Sequence, residues 1–425
     1  MNLPESRERS SAAGLLLLLT AMSMLSAMDR QMLAVLIEPV KAEFLLSDLQ
    51  IGLVSGLGFA LSFSLLGLPL GRIADRHERR SLVAWTRGVG GLLAALGGAS
   101  IGFWSLMGSR AGGALSDAGG APASLSMIAD LYPPAQRSRA MSLFGLGAAT
   151  GSMLALVLGS WIAQQWGWRF ALATVGGSAA LLALLLRLFS SEPLRAAASG
   201  SNPGAQTQGR SSVALVWRQP VTRWIMLGAG FALLSGYSVG AWNVSYLVRS
   251  HHLTQQQAGW VAGFAAMVSV CGSLVAGAMT DRLVRRHPGW QMGVPLIGVS
   301  MALPAGILFF ALPAGQVVAA TGMVGLFAFF IAWWAAPSYA ALSLVVAPQR
   351  RATANAMLML AGAIIGSGIG PIFTGSLSTW LEQWLHDQAL RVALICTIAM
   401  LGFSVYAFWR ALLVYPAALK AVNHD

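Results

Sequence analysis

The sequence predicts an all-α membrane protein: twelve transmembrane helices arranged as two six-helix, pseudo-symmetric halves. Three observations carry that prediction. Hydrophobic residues make up 56% of the 425 and charged residues only 10%, against roughly 25% charged in ordinary soluble domains. Apolar runs recur at the length of ~20 residues that a bilayer crossing requires. A ten-residue cassette also occurs twice, its two glycines 206 positions apart in the 425-residue chain. Repeats of that size set among apolar segments indicate a duplicated membrane bundle.

The twelve runs lie at approximately 13–36, 50–70, 82–102, 104–130, 139–164, 170–190, 222–248, 257–280, 292–312, 315–346, 352–380 and 389–414. Arg7 and Arg9 precede Leu15–Leu19 as they would in a secretory leader, but the spans that follow make this run a first transmembrane helix. The ninth and tenth runs are separated only by Leu312-Pro313-Ala314-Gly315. Residues 191–221 lose the apolar pattern to Ser, Gly, Gln, Pro and Ala, which predicts a cytoplasmic linker between the halves. The expected organisation is a tail at 1–12, a first bundle at 13–190, a linker at 191–221, a second bundle at 222–414 and a tail at 415–425.

Basic residues test the count. With both termini cytoplasmic, Lys41, Arg169, Arg249 and Arg391 are external, Arg30, Arg87 and Arg110 fall within spans, and the other 20 of 27 are internal. That bias follows the positive-inside rule, and it explains the net charge of +12 without nucleic acid as a partner. Of the 27, 25 are Arg, a composition that suits a GC-rich bacterial genome and hence a bacterial inner membrane. Cys271 and Cys396 both sit in apolar runs, so neither a disulfide framework nor a metal-ligand spacing is present.

The cassette reads Gly71-Arg72-Ile73-Ala74-Asp75-Arg76-His77-Glu78-Arg79-Arg80, then Gly277-Ala278-Met279-Thr280-Asp281-Arg282-Leu283-Val284-Arg285-Arg286. Both copies keep G-x-x-x-D-R-x-x-R-R in the loop between the second and third spans of a half. Gly71 and Gly277 are expected to allow close helix approach. Asp75 and Asp281 can then reach the N-terminus of a helix in the opposite half, near Thr353 and Ser138 respectively, where the dipole favours negative charge. Arg76 and Arg282 complete the gating set, and Arg79 is placed to bridge to Asp130 at the end of the fourth span.

This duplicated loop resembles the signature of the major facilitator superfamily, over residues 13 to 414. Met28-Asp29-Arg30-Gln31, Leu46-Ser47-Asp48-Leu49-Gln50-Ile51-Gly52, Gly67-Leu68-Pro69-Leu70-Gly71-Arg72, Trp166-Gly167-Trp168-Arg169 and Gly368-Ile369-Gly370-Pro371 are similar to the Spinster-like branch. The anion:cation symporter branch shares Asp-Arg in the first helix. Where the Spinster-like pattern has Gly-Glu-Ala in the fourth helix, this chain has Ser116-Asp117-Ala118, a carboxylate one methylene shorter. The resemblance implies the major facilitator fold and lysolipid or sphingoid-like substrates.

Charges inside spans cost roughly 2.5–3.5 kcal/mol each on insertion scales, so they mark function. Asp29 lies about 16 residues from the inner start of its span, ~24 Å, and Arg110 about six from the outer start of its own, ~9 Å. In a ~30 Å core those depths nearly coincide, so an Asp29–Arg110 contact is expected. Asp117 follows two turns after Arg110, roughly 10 Å nearer the cytoplasm. With Arg30 the four charges sum to zero, a balance that one proton or one anion would tip. Arg30 is turned ~100° from Asp29. Asp29, Asp117 and Arg110 are the expected proton-coupling residues. The second half offers no ionisable group deep in a span; Tyr237, Asn243 and Tyr339, with Arg110 and Arg30, are the expected substrate contacts. Gly145, Gly147, Gly151 and Gly159 in the fifth span, and Gly362, Gly366, Gly370 and Gly375 in the eleventh, are expected to pack across the two halves.

Neither a phosphate loop, a catalytic triad nor a metal-ligand cluster is legible, so the sequence predicts no enzyme and no cofactor. It predicts a monomeric, proton-coupled secondary transporter of an organic anion or amphipathic small molecule. A carboxylate or sugar-acid symporter is the alternative within that class. A non-transporting membrane sensor on the same scaffold is the alternative outside it, disfavoured by a tail of about a dozen residues after Leu413.

Overall fold

The computed structural model describes residues 3–192, 209–347 and 350–424, excepting the side chains of residues 3–11, 59, 61–63, 68, 72, 75, 76, 134, 135, 209–213, 352 and 421–424. Every regular element among them is helical. Contacts divide the chain into one unit of Met1–Ser199 with Gln255–Trp260, and a second of Gly200–Thr254 with Val261–Asp425.

The first unit begins with α1 (Leu3–Phe44), α2 (Asp48–Arg76), α3 (Arg79–Ala95) and α4 (Phe103–Leu131). It continues with α5 (Pro134–Leu154), a π-helical segment (Ala155–Gly159) and α6 (Ser160–Phe189). Local sequence sets each boundary. Leu45 in the left-handed region (φ 51°) ends α1. Ser47 then opens α2 with a reciprocal capping box, Gln50 N–H donating to Ser47 Oγ (3.2 Å) and Ser47 N–H to Gln50 Oε1 (2.9 Å). Pro134 occupies the first turn of α5, where its missing N–H is harmless.

Gly167 (φ 87°) kinks α6 in a conformation that glycine tolerates. The kink throws Trp168 and Arg169 onto the end of α1. Trp168 Nε1 donates to Glu43 Oε2 (2.7 Å) and Arg169 Nη2 to Glu43 Oε1 (2.5 Å). Arg169 Nη1 also donates to the carbonyls of Gly98 (2.9 Å) and Ser100 (2.7 Å), tying down the turn before α4. The Trp-Gly-Trp-Arg sequence is thus a clasp at one end of the bundle.

The second unit contains α7 (Gly209–Arg218), α8 (Pro220–His251), α9 (Gln255–Val284) from Val261 onward, α10 (Trp290–Ala311), α11 (Val317–Ile331) and α12 (Ala335–Val345). It ends with α13 (Arg351–Ala361), a π-helical segment (Gly362–Ile369), α14 (Gly370–Leu385), α15 (Ala389–Ala399) and α16 (Leu401–His424). Within the expected linker, α7 is helical and buries Val216. Trp242 is fully buried, its indole N–H on the Pro371 carbonyl (3.1 Å). Tyr246 shares its hydroxyl proton between the carbonyls of Phe309 and Phe310 (3.2 Å each).

Among the described residues nine stretches are long and apolar enough to cross a membrane. The last, Thr353–Lys420, holds two rods, α13–α14 and α15–α16. With α2 and α4, each 29 residues and ~43 Å long, the twelve expected spans are accounted for. Most helices overrun the apolar runs that announced them, because polar ends extend a helix until a turn residue stops it.

The helix-breaking glycines pack differently from expectation. A Cβ on Gly147 would strike the Thr20 carbonyl at 2.6 Å, and one on Gly151 would overlap the Met24 carbonyl. Both neighbours are on α1, in the same unit. Gly366 faces the Tyr237 ring (2.7 Å) and Gly370 the Leu234 carbonyl (2.8 Å), both on α8. The crowding that demands these glycines is therefore inside each unit.

Candidate functional site

Ser26 lies one helical turn before both Asp29 and Arg30 on α1, so it is a surface neighbour of each. Asp29 and Arg30 nevertheless diverge by the helical rotation and take different partners on α4. Arg110 Nη1 donates to Asp29 Oδ1 (3.0 Å) and Arg110 Nη2 to the Asp29 carbonyl (3.1 Å). Arg30 Nη1 donates to Asp117 Oδ2 (2.6 Å), while Ser26 Oγ donates to Asp117 Oδ1 (2.5 Å). The Asp29–Arg110 contact expected from depth is present. Arg30, whose direction the sequence left open, forms the second bridge.

The balance of four charges needs correction. Arg87, on α3, is 2% exposed and belongs to the same cluster. Its Nη1 donates to the Met22 carbonyl of α1 (2.9 Å), and it interacts electrostatically with both Asp117 and Arg30. Gly120 makes room for it: a Cβ there would sit 2.6 Å from Arg87 Nε. Two carboxylates now face three guanidinium groups, leaving one positive charge in excess when all are ionised. Such a cluster, with its surplus positive charge, attracts an anion. Exposure differs along it, Arg30 side chain 39% and Asp117 12%, so Arg30 is the member best placed to meet an incoming solute.

At the other end of α3 the first cassette makes a second charged network. Arg79 Nη1 donates to Asp130 Oδ2 (2.5 Å), as expected, and to Ser126 Oγ (2.9 Å). Glu192, which sequence reasoning missed, accepts from Arg79 Nε (3.0 Å) and from the main-chain N–H groups of Arg79 (3.2 Å) and Arg80 (2.7 Å). It therefore caps a helix 113 residues earlier in the chain, supplying the anion that the α3 dipole favours. Glu78, at the capping position itself, makes no side-chain cap; the Ser81 hydroxyl, and after it Arg80, hold its carboxyl below the usual range.

The second cassette is set differently. Arg285, the counterpart of Arg79, is exposed, as are Asp281 and Arg282. The physical reason is that no acidic residue lies between Val317 and Val345 to play the part of Asp130. The side chains of Asp75 and Arg76 lie outside the described residues. Among the described residues, a Cβ at Gly71 or Gly277 would meet nothing within 4 Å, so close approach is not what these glycines provide here.

In the second unit Tyr237 is 45% exposed and interacts electrostatically with the partly buried Tyr339. Asn243 is 6% exposed, and its Oδ1 has no partner among the described residues. Of the residues missed, Ser26 carried a legible signal in its one-turn spacing from Asp29 and Arg30. Arg87 carried one as an arginine inside an apolar run. Glu192 carried none.

Residues 19–371 match the family model described as Major Facilitator Superfamily. An MFS-type efflux pump of Mycolicibacterium smegmatis is 30% identical over 396 residues, covering 91% of this chain and 89% of that protein. Protein spinster homolog 1 of Mus musculus is 27% identical over 421 residues, covering 91% of this chain and 78% of that one. Among solved structures, a bacterial homolog of the human lysosomal transporter Spinster, inward-facing and unoccupied, superposes with a TM-score of 0.83 at 26% identity. That match covers 96% of this chain and 98% of the other.

Proposed function

Because this chain belongs to the Major Facilitator Superfamily and is Spinster-like, we propose that it is a proton-coupled secondary transporter working by alternating access. Its substrate class is an organic anion or an amphipathic molecule with an anionic group, of the lysolipid kind. The observation that carries this reading is the charge cluster of Asp29, Arg30, Arg87, Arg110 and Asp117, buried at its core and open at Arg30, with its surplus guanidinium. An anionic group that engages Arg30 or Arg110 weakens a carboxylate's ion pair, and the released carboxylate takes up a proton. Loss of the proton re-forms the pair and expels the anion.

Tyr237, Asn243 and Tyr339 contribute the polar contacts of the second unit, with Tyr237 the most accessible of them. The twin cassettes, with Gly71, Asp75, Arg76, Arg79, Asp130, Gly277, Asp281 and Arg282, gate the cycle from a bacterial inner membrane, both termini in the cytoplasm. The protein works as a monomer.

The test is transport by purified protein in proteoliposomes, using an anionic lysophospholipid as the first probe, with and without an imposed pH gradient. Accumulation that collapses with the gradient supports the coupling. Transport indifferent to the gradient removes it. A second reading, export of an amphipathic compound, is favoured by the Mycolicibacterium smegmatis relative described as an efflux pump. Inside-out vesicles distinguish the two by the side from which the probe is lost.

A further inference from the structure

We propose that the second cassette binds the headgroup of an anionic phospholipid, a ligand that supplies the negative charge its own unit lacks. Arg282, Arg285 and Arg286 are exposed at the end of α9. Among the described residues none of the three guanidinium groups has a hydrogen bond or ion pair. At the matching place in the first unit, Arg79 lies between Asp130 and Glu192. From Gly200 to the C-terminus the acidic residues are Asp281, Glu382, Asp387 and Asp425. Asp281 stands one turn before Arg285, yet it is exposed and forms no ion pair among the described residues. The rods α10 and α11–α12 run out and back, so α13 starts at the cassette's end of the unit. Glu382 and Asp387 then lie ~45 Å further along α13–α14, and Asp425 lies outside the described residues.

A groove of about 640 Å³ runs along the same face of α9. That volume falls within the roughly 300–1,000 Å³ typical of small-molecule sites. Arg282, Arg285 and Arg286 line one end of it, while Val275, Ala278 and Met279 line the rest. Val275 is 44% exposed, and Met279 is backed by Ala276, Val294 and Trp333. From Val275 to Arg286 the helix rises ~16 Å, about one leaflet of a ~30 Å core. Charge therefore sits at headgroup depth and the apolar floor at acyl-chain depth. A phospholipid matches both parts, whereas a free phosphate matches only the first. Guanidinium forks suit phosphate oxygens, and an anionic cytoplasmic leaflet concentrates such lipids at basic pockets. The site needs the membrane-spanning fold and the expected topology, but neither proton coupling nor any transported substrate.

Native mass spectrometry of the full-length protein in neutral detergent tests this with dioleoylphosphatidylglycerol as the probe. Wild type should retain one such lipid saturably. Dioleoylphosphatidylcholine, with the same chains and no net charge, should bind far more weakly. Replacing all three arginines, Arg282→Gln with Arg285→Gln and Arg286→Gln, should weaken phosphatidylglycerol about a hundredfold, roughly fivefold for each arginine. Ala278→Trp, which fills the apolar floor and keeps every charge, should also weaken it. Arg218→Gln with Arg223→Gln, two exposed arginines on other helices, should leave it unchanged.

Unaltered phosphatidylglycerol binding in the triple variant overturns the proposal, as does equal binding of phosphatidylcholine. Displacement of the lipid by millimolar glycerol phosphate would assign the arginines to a soluble anion and overturn it as well. Should the triple variant not fold, the single replacements Arg285→Gln and Arg286→Gln decide, each expected to weaken binding about fivefold. Because no transport is measured, a failure of proton-coupled transport leaves these results unaffected, and the two ideas fall separately.

Discussion

Asp29 and Arg30 are adjacent in sequence yet bond to side chains two turns apart on α4, Arg110 and Asp117. This crossed pairing binds the two helices while leaving each carboxylate one departure away from release. Asp117→Asn should therefore abolish pH-gradient-driven accumulation of probe while retaining a folded monomer on gel filtration; unchanged accumulation would return Asp117 to a structural role. Arg79 makes a different prediction, because it is buried between two carboxylates, Asp130 and Glu192. Arg79→Ala should lower stability by about 3–5 kcal/mol, the usual cost of breaking a buried pair from one side. Glu192→Gln keeps some capping acceptor and should cost only ~1 kcal/mol. Thermal unfolding in detergent ranks the two, and a larger loss for Glu192→Gln would contradict the assignment.

Helices in lipid must satisfy their own backbone groups, which is why twelve apolar runs translated into twelve helical rods. Element existence was legible for that reason, and so was the Arg79–Asp130 bridge, since both residues flank spans at a common level. The π-helical segments at Ala155–Gly159 and Gly362–Ile369 were not, because backbone register is decided by neighbours that a linear pattern does not name. The packing partners of the glycines were misjudged for the same reason. Spacing marks a smooth face, but not which helix lies on it. Gly90 gives a sharp test: a Cβ there would stand 2.8 Å from the Ser116 main-chain nitrogen. Gly90→Ala should destabilise by about 1–3 kcal/mol through overpacking of α3 on α4. Gly71→Ala, with open space around it, should change stability by less than ~0.5 kcal/mol.

Across the molecule the two cassettes are alike in sequence and unlike in setting, with Arg79 buried and Arg285 exposed. Duplication preserved the motif, whereas the acidic partners are found in the first unit. The charge cluster likewise lies in that unit, so the proposed coupling belongs there and the proposed polar recognition by Tyr237 and Tyr339 to the second. The basic-residue bias predicts both tails in the cytoplasm. A single cysteine placed near either terminus of a variant lacking Cys271 and Cys396 should resist impermeant thiol reagents in intact cells, and labelling there would invert the assignment. The central claim is that displacement of a buried guanidinium by an anion is what moves a proton, and accumulation of an anionic lysophospholipid in proteoliposomes tests it most directly. Wild type should concentrate the probe only under an imposed pH gradient, and Asp29→Asn should exchange probe at equilibrium without concentrating it. Gradient-driven accumulation that survives in Asp29→Asn and Asp117→Asn alike would contradict the account.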